Sequence, residues 1–469
     1  MVLSSLKDHK IVILGAGPTG LGAGYRLKEL GNLNFHIYDA SAQVGGLATS
    51  YTDDKGFIWD IGGHVQFSHY KYFDDLMEKA LPDGWLFHER ESWVWMEDRF
   101  VPYPFQNNLR YLSEESRWKC IQGLIKLYKH PSTLKPGNFR EWIDATFGDG
   151  IADIFMVPYN FKVWAFPAED MDYNWIGERV AVTDLERVLF NVLHSKDDLS
   201  WGPNNTFRFP KNGGTGAIWE GVADLVGREK ITLCKAAKSI DTENKRVEFK
   251  DGTFESYDSL ISTIPVDNLV AIAKIDELSQ QVSQLKYSSS NIIGVGLSGK
   301  PSEELRKKCW MYFPEDNCPF YRVTLFSNYS PQNVPDPSTQ WSLMAEVSES
   351  VKKPVNKEHL ISDVIDGFRN TQLIQPDHEI LSTWSFRAAH GYPTPSIGRD
   401  AALNKIHPVL QAKSIYSRGR CGGWKYEVSN QDHSLMQGVE LVNYIMHGVP
   451  EVTYWFPSTA NDMRYAKTR

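Results

Sequence analysis

A strand–turn–helix–strand unit at the start of the chain constrains everything that follows it. Residues 10–14 read Lys-Ile-Val-Ile-Leu, a short apolar run suited to a strand buried on both faces. Gly15-Ala-Gly-Pro-Thr-Gly20 follows at once, then a helical stretch from Leu21 that stops at Gly31. A second strand, residues 34–38, ends at Asp39. In this context each glycine has its own duty. Gly15 permits the tight turn, Gly17 lets the main chain approach a pyrophosphate, and Gly20 lets the helix lie close against the sheet. The helix N-terminus offers free N–H groups to the anion, and Asp39 is placed to accept hydrogen bonds from an adenosine ribose. A carboxylate there argues against a 2′-phosphate in this pocket. The unit predicts a bound dinucleotide.

Two further glycine pairs narrow the choice. Gly45-Gly46 continues from the second strand, and Gly62-Gly63-His64 follows the short aromatic run Phe57-Ile-Trp-Asp60. Close main-chain approach to a long, rigid ligand explains both pairs, whereas an enzyme using only the first unit has no need of them. The arrangement resembles FAD-binding proteins in which a glycine doublet follows the ribose acid, as in amine oxidases and protoporphyrinogen oxidase. That resemblance implies FAD held by Gly15, Gly17, Gly20, Asp39, Gly45, Gly46, Gly62 and Gly63.

At 469 residues the chain is long enough for two or three folded units at about 150 residues each. Fifty Lys plus Arg against 58 Asp plus Glu, a net charge of −8, exclude a basic surface for nucleic acid but not a local cationic pocket. Five scattered cysteines form neither a disulfide framework nor a metal-binding spacing, so no metal is expected and a reducing, cytoplasmic setting is the simple reading. No apolar run reaches the length of a membrane span. Residues 92–104 alternate as a hairpin, residues 114–196 show helical spacing, and residues 259–264 read as a strand returning to the nucleotide sheet. Strands recur around 291–297, 309–313, 319–326 and 341–347. The fold class is therefore α/β: a Rossmann-like FAD-binding domain, an inserted helical region and a twisted antiparallel β-sheet substrate domain. The expected division is 1–90 for the FAD-binding part, 91–110 for a sheet-domain segment and 111–200 for the helical domain. The chain then returns to the FAD domain over 201–265, forms the sheet and substrate domain over 266–395, and closes the FAD domain over 396–469. Mobile loops are expected near 180–184 and 203–209.

Several long strings carry a closer resemblance: residues 62–75 (GGHVQFSHYKYFDD), 101–108 (VPYPFQNN), 158–165 (PYNFKVWA), 175–181 (WIGERVA), 309–322 (CWMYFPEDNCPFYR) and 419–434 (GRCGGWKYEVSNQDHS). Together they resemble the eukaryotic-type branch of the UDP-galactopyranose mutase family across nearly the whole chain. The resemblance implies reversible isomerisation of UDP-galactopyranose and UDP-galactofuranose through a covalent intermediate between the sugar and N5 of reduced flavin. It implies Arg179 and Arg322 as a clamp on the departing diphosphate and His64 beside the flavin. Phe67, Tyr103, Gln106, Asn160, Trp164, Asn204, Tyr312, Tyr392 and Tyr426 are implied on the UDP-sugar, with Arg420, Asn430 and Gln431 near the flavin. NADPH is the implied external reductant, and a homo-oligomer is compatible with the sequence. A mutase for another nucleotide sugar, or an FAD-dependent amine oxidase or desaturase, would share the scaffold; the oxidoreductases would not need two phosphate-facing arginines. Two residues depart from the branch. Trp95 stands where an arginine that assists reductant or nucleotide binding is often found, and Gln66 stands where an aliphatic residue is common. The first departure puts the preference for NADPH in doubt more than the sugar chemistry.

Overall fold

Every side chain of Ile11–Leu14 is buried, as a strand covered on both faces requires, and this strand is the middle of a five-stranded parallel sheet. In the computed structural model, which describes residues 8–462 except 83, 132–133, 178 and 200–204, its neighbours are Phe35–Tyr38 on one side and Ser259–Ser262 on the other. Ile231–Thr232 and Ile415–Ser417 form the edges. The sheet is thus assembled from four distant parts of the chain. One face packs on the helices Pro18–Glu29, Gly216–Val226 and Gln431–His447, through residues such as Leu21, Leu27, Trp219, Val222, Leu435 and Val439.

The second sheet has seven strands, in the order Ile380–Pro393, Tyr287–Ser298, Gln340–Glu349, Arg322–Leu325, Trp310–Tyr312, Ser92–Met96 and Arg99–Pro102. Its pairings are antiparallel except that of Trp310–Tyr312 with Ser92–Met96, which is parallel, so the sheet is mixed rather than wholly antiparallel. The single parallel joint has a simple cause. The hairpin Ser92–Pro102 enters from a distant part of the chain and docks on the edge left open by Trp310–Tyr312.

The helices Glu114–Lys129, Phe139–Ile151, Val157–Trp164 and Leu185–His194 build a third core around Phe105, Ile121, Phe147, Phe155 and Val188. Ser113, Asn138 and Asp184 cap three of them by accepting a main-chain N–H from the first turn. Thr206–Pro210, expected within a mobile loop, is a strand antiparallel to Trp85–Glu89. The alternation Thr-Phe-Arg-Phe buries Phe207 and Phe209 and explains why this stretch pairs. Among the described residues, no helix is long and apolar enough to cross a membrane.

Candidate active site

The turn after the first strand is built so that only glycine fits. Gly15 has φ +111°, and a Cβ there would meet Thr263 Oγ1 at 1.9 Å; a Cβ on Gly20 would meet the Gly15 carbonyl oxygen at 1.8 Å. The second doublet folds back on this turn: Gly45 N–H donates to the Ala16 carbonyl at 2.8 Å, and a Cβ on Gly46 would come within 3.3 Å of Gly17 Cα. Asp39 Oδ2 accepts the Ala16 N–H at 2.6 Å, and its Oδ1 accepts that of Ser41 at 2.7 Å. The carboxylate is thereby fixed at the end of its strand beside the glycine turn.

From this turn a cavity of about 690 Å³ runs between the two sheets and the helical region. Gly17, Asp39 and Gly46 lie at one part of its wall. Gly62, Gly63, His64, Phe67, Tyr103, Arg179, Tyr312, Arg322, Tyr392, Arg420, Tyr426, Asn430 and Gln431 complete the set of expected residues that line it. Gly15, Gly20 and Gly45 shape the turn from behind. These residues fit FAD. The glycine cradle leaves the main chain bare, the carboxylate stands at the ribose position, and the N-terminus of Pro18–Glu29 adjoins the cavity through Gly17 and Pro18. The first turns of that helix and of Gln431–His447 both border the cavity.

Two guanidiniums share this space but are held differently. Arg322 donates from Nε and Nη2 to the two carboxylate oxygens of Glu346, at 2.7 and 2.9 Å. Glu346 also accepts the Gly63 N–H at 3.0 Å and the Tyr321 hydroxyl at 2.7 Å. Burial raises the Glu346 carboxyl, but the Arg322 guanidinium together with the hydrogen bonds from Gly63 and Tyr321 holds the group below the usual carboxylate range. Arg179 instead donates from Nη2 to the Glu427 carbonyl at 2.5 Å and to Asn461 Oδ1 at 3.3 Å. Its Nη1 is buried with no hydrogen-bond partner among the described residues. A buried donor left open in this way is what an incoming anion requires.

The phenols around the arginines are neutral donors. Burial raises the Tyr312 and Tyr426 hydroxyls above their ordinary values, although Arg322 opposes the shift at both and Arg179 and Arg420 oppose it at Tyr426. Trp310 Nε1–H donates to the Tyr312 oxygen at 2.6 Å, which leaves the tyrosine's own proton for another acceptor. Arg420 lies 4.6 Å from the Tyr392 ring and donates to the Gly391 carbonyl and to Ser429 Oγ. Burial, aided by Arg420 and Arg322, pushes the His64 imidazole down to about 4 against the pull of Glu346, so His64 is neutral at physiological pH.

Three further expected residues are not part of the lining. Gln106, Asn160 and Trp164 stand behind the wall. Gln106 Nε2 donates to the Ala181 carbonyl, Asn160 Nδ2 donates to the Met156 carbonyl, and Trp164 packs edge-on to Tyr426 at 4.8 Å. Asn430 occupies the N-cap of Gln431–His447 without a side-chain cap, and Gln431 Oε1 accepts from Trp219 Nε1 at 2.8 Å. Asn204 lies outside the described residues. Trp95 requires a correction. Strand alternation sends Val94 and Met96 to the helical core and Trp95 to the opposite side, where it is buried against Phe100 and does not reach the cavity. The arginine on the cavity wall from this segment is Arg90, five positions earlier. Gln66 does line the cavity, and its main chain pairs with Arg208. Arg90, Glu346 and Asp432 were not assigned roles from the sequence. A glutamate inside the apolar run Leu343–Val347 was the one signal that marked any of them.

Fold and site together define a flavoprotein. The model for flavin-containing amine oxidoreductases matches residues 18–400, and the chain belongs to that family. Within it, the chain belongs with the UDP-galactopyranose mutases: a crystal structure of reduced UDP-galactopyranose mutase is 50% identical, covers 97% of this chain and 97% of its own, and superposes with a TM-score of 0.94. A protoporphyrinogen oxidase structure from Exiguobacterium covers 94% of this chain and 99% of its own at a TM-score of 0.72 but only 18% identity, a likeness of fold. Sequence matches to more distant curated relatives are short. Protoporphyrinogen oxidase 2 of Arabidopsis thaliana is 35% identical over 63 residues, 13% of this chain and 12% of the relative. The ferredoxin–NADP reductase of Acholeplasma laidlawii is 40% identical over 65 residues, 14% of this chain and 20% of the relative.

Proposed function

We propose that this chain interconverts UDP-galactopyranose and UDP-galactofuranose, with FAD as its resident cofactor. The observation that carries the reading is that Arg179 and Arg322 line one cavity with the glycine turn and the Gly62–His64 loop, in a chain half identical to a mutase along nearly all its length. An amine oxidase has no use for two such cations on the substrate side. When bound in its reduced form, the flavin supplies the nucleophile and the electron pair with which the sugar ring is opened and reclosed.

The protein's part is electrostatic and steric. Cleavage at the anomeric carbon places negative charge on a diphosphate. Arg179 offers its open Nη1 to that charge, and Arg322 is held by Glu346 in one orientation, so little rearrangement accompanies charge development. Tyr312 donates its remaining proton to the same group, and Tyr392 and Tyr426 extend the polar wall. Neutral His64 adds no positive charge at the flavin edge and is available to hydrogen-bond through Nδ1, which has no partner among the described residues. NADPH is the proposed reductant, and Arg90 and Arg420 on the wall support the entry of a second anionic nucleotide. Free cysteines at all five positions support a reducing compartment such as the cytoplasm.

The test is anaerobic. Dithionite-reduced holoenzyme is mixed with UDP-galactofuranose and the sugars are separated by chromatography. Conversion to the pyranose form without stoichiometric loss of reductant is expected. Turnover only with matching oxidation, or conversion of another nucleotide sugar in its place, overturns the reading.

A further inference from the structure

Asn461, which ends the short turn Pro457–Ala460, is 282 positions from Arg179 in sequence and in hydrogen-bond contact with it in the fold. Its Oδ1 accepts from Arg179 Nη2 at 3.3 Å. Its Nδ2 donates to the Glu427 carbonyl at 3.0 Å and to the Pro457 carbonyl at 2.9 Å. With two carbonyl acceptors on the nitrogen, the amide has to present its oxygen to the guanidinium. The Glu427 carbonyl also accepts from Arg179 Nη2, at 2.5 Å, so the arginine, the amide and one main-chain oxygen close a triangle of hydrogen bonds.

The two supports are themselves fixed. Glu427 turns its carboxylate onto Arg399, with both oxygens engaged at 2.9 and 2.7 Å, which holds its carbonyl in place. The segment leading to Asn461 is pinned at three successive points. Glu451 is bonded twice to Arg418 at 2.6 Å, the Thr453 N–H donates to Glu440 at 2.7 Å, and the wholly buried Tyr454 donates its hydroxyl to the Gly423 carbonyl at 3.1 Å. Arg179 arrives from another part of the fold. Trp175 and Ile176, just before it, belong to the helical core, and its N–H donates to the Ile176 carbonyl at 2.8 Å. A long side chain reaching out from there loses rotamer freedom when it is held, so holding it beforehand spares that loss at the moment of binding. The amide occupies Nη2 and leaves Nη1, which has no partner among the described residues, for an anion. An amide oxygen orients a guanidinium without cancelling its charge, as a carboxylate in the same place would.

We propose that Asn461 is a positioning residue for the sugar nucleotide's diphosphate: it fixes the Arg179 guanidinium with its charge uncancelled, so that Nη1 meets the phosphate oxygens. This rests on the reading that a UDP-sugar is the substrate. The residue does its work through Arg179 alone, and a change at Asn461 matters only while the arginine is present.

The test titrates holoenzyme with UDP by calorimetry in wild type, Asn461→Ala, Arg179→Ala and the double variant. Asn461→Ala is expected to bind UDP about tenfold more weakly than wild type, the scale of a lost hydrogen bond to a charged group. In the Arg179→Ala background the same change should weaken UDP by less than about twofold, since the two effects are not additive when one residue acts through the other. Equal weakening in both backgrounds marks a residue that braces only its own turn and overturns the proposal, as does wild-type affinity in Asn461→Ala. Asn461→Asp keeps an acceptor oxygen but sets a negative charge against the guanidinium; it should bind UDP no better than Asn461→Ala, and wild-type affinity there overturns the need for a neutral partner. The ratio of flavin to protein absorbance should be the same in every variant, and loss of flavin on changing Asn461 would move the residue to the cofactor and overturn the proposal too. Mutase turnover, measured separately on wild type, tests the functional reading by itself. A wild type that shows the expected coupling but does not isomerise the sugar would sink the isomerase reading and leave this one standing.

Discussion

Glu346 grips Arg322 through both carboxylate oxygens, at 2.7 and 2.9 Å, and with the same oxygens accepts the Gly63 N–H and the Tyr321 hydroxyl. One buried side chain thus ties a cavity-lining cation to the glycine loop that carries His64. Glu346→Gln keeps the shape but supplies one acceptor oxygen where four donors converge. The expected loss is about 100-fold in kcat, the scale seen when a preorganised charge-stabilising group is disturbed. Breaking a buried ion pair on one side also costs about 3 kcal/mol of stability. Steady-state kinetics and a urea titration read the two effects separately, and an unchanged kcat would show that Arg322 does not need its partner.

Arg179 has no carboxylate to hold it, only the Glu427 carbonyl and Asn461. Its charge is therefore less neutralised than that of Arg322 and should matter more to the leaving diphosphate. Arg179→Ala is expected to lower kcat by about 100- to 1,000-fold, and Arg179→Lys, which keeps the charge but not the planar fork, by about tenfold. FAD content, read from the ratio of flavin to protein absorbance, should be unchanged in both. Loss of flavin would move the residue from the substrate to the cofactor.

The parts of this arrangement that were legible in the sequence are the local ones. Gly15, Gly20 and Asp39 act within thirty residues of one another, and their spacing alone states the turn, the close packing and the carboxylate. The strand Ser259–Ser262 was legible for the same reason, an apolar run ended by Pro265. Partnerships across the chain were not. Arg322 and Glu346 meet because neighbouring strands pair in register, Arg322 opposite Glu346, and no residue type announces a register. Trp95 was misplaced because neighbouring positions on a strand face opposite ways, and a string match does not say which face a position takes. Asp432 and His69 are 363 positions apart, and only the folded chain brings them to 2.7 Å.

Gly20→Ala should separate cofactor binding from folding. The added Cβ would sit 1.8 Å from the Gly15 carbonyl oxygen, a main-chain atom that cannot turn aside. The helix Pro18–Glu29 must move off the sheet, and its N-terminal amides with it. A loss of about 2 kcal/mol in stability is expected from overpacking of this size. The larger effect should be on flavin, with the purified variant carrying little FAD and recovering it poorly on dialysis against excess cofactor. Full flavin occupancy would show that the turn tolerates displacement.

His407 offers a pH-dependent prediction far from the chemistry. It is wholly buried beneath Tyr454 and Trp455, and neither ring nitrogen has a hydrogen-bond partner among the described residues. Burial lowers its pKa well below the ordinary value of 6.5, with Arg418 and Lys425 acting in the same direction. Below that ordinary value the unfolded chain takes up a proton that the folded chain refuses. Stability from this group is therefore complete above about pH 6.5 and drains away as the pH falls toward the depressed folded value. At about pH 5 the loss is roughly 2 kcal/mol, from about 1.5 pH units at 1.36 kcal/mol each. His407→Met removes the titration while keeping an apolar side chain of similar size. Its stability should match wild type within about 1 kcal/mol near pH 8 and exceed it near pH 5, as read by urea midpoints at both values. Parallel curves for the two proteins would mean that His407 finds a partner for its charge within the fold.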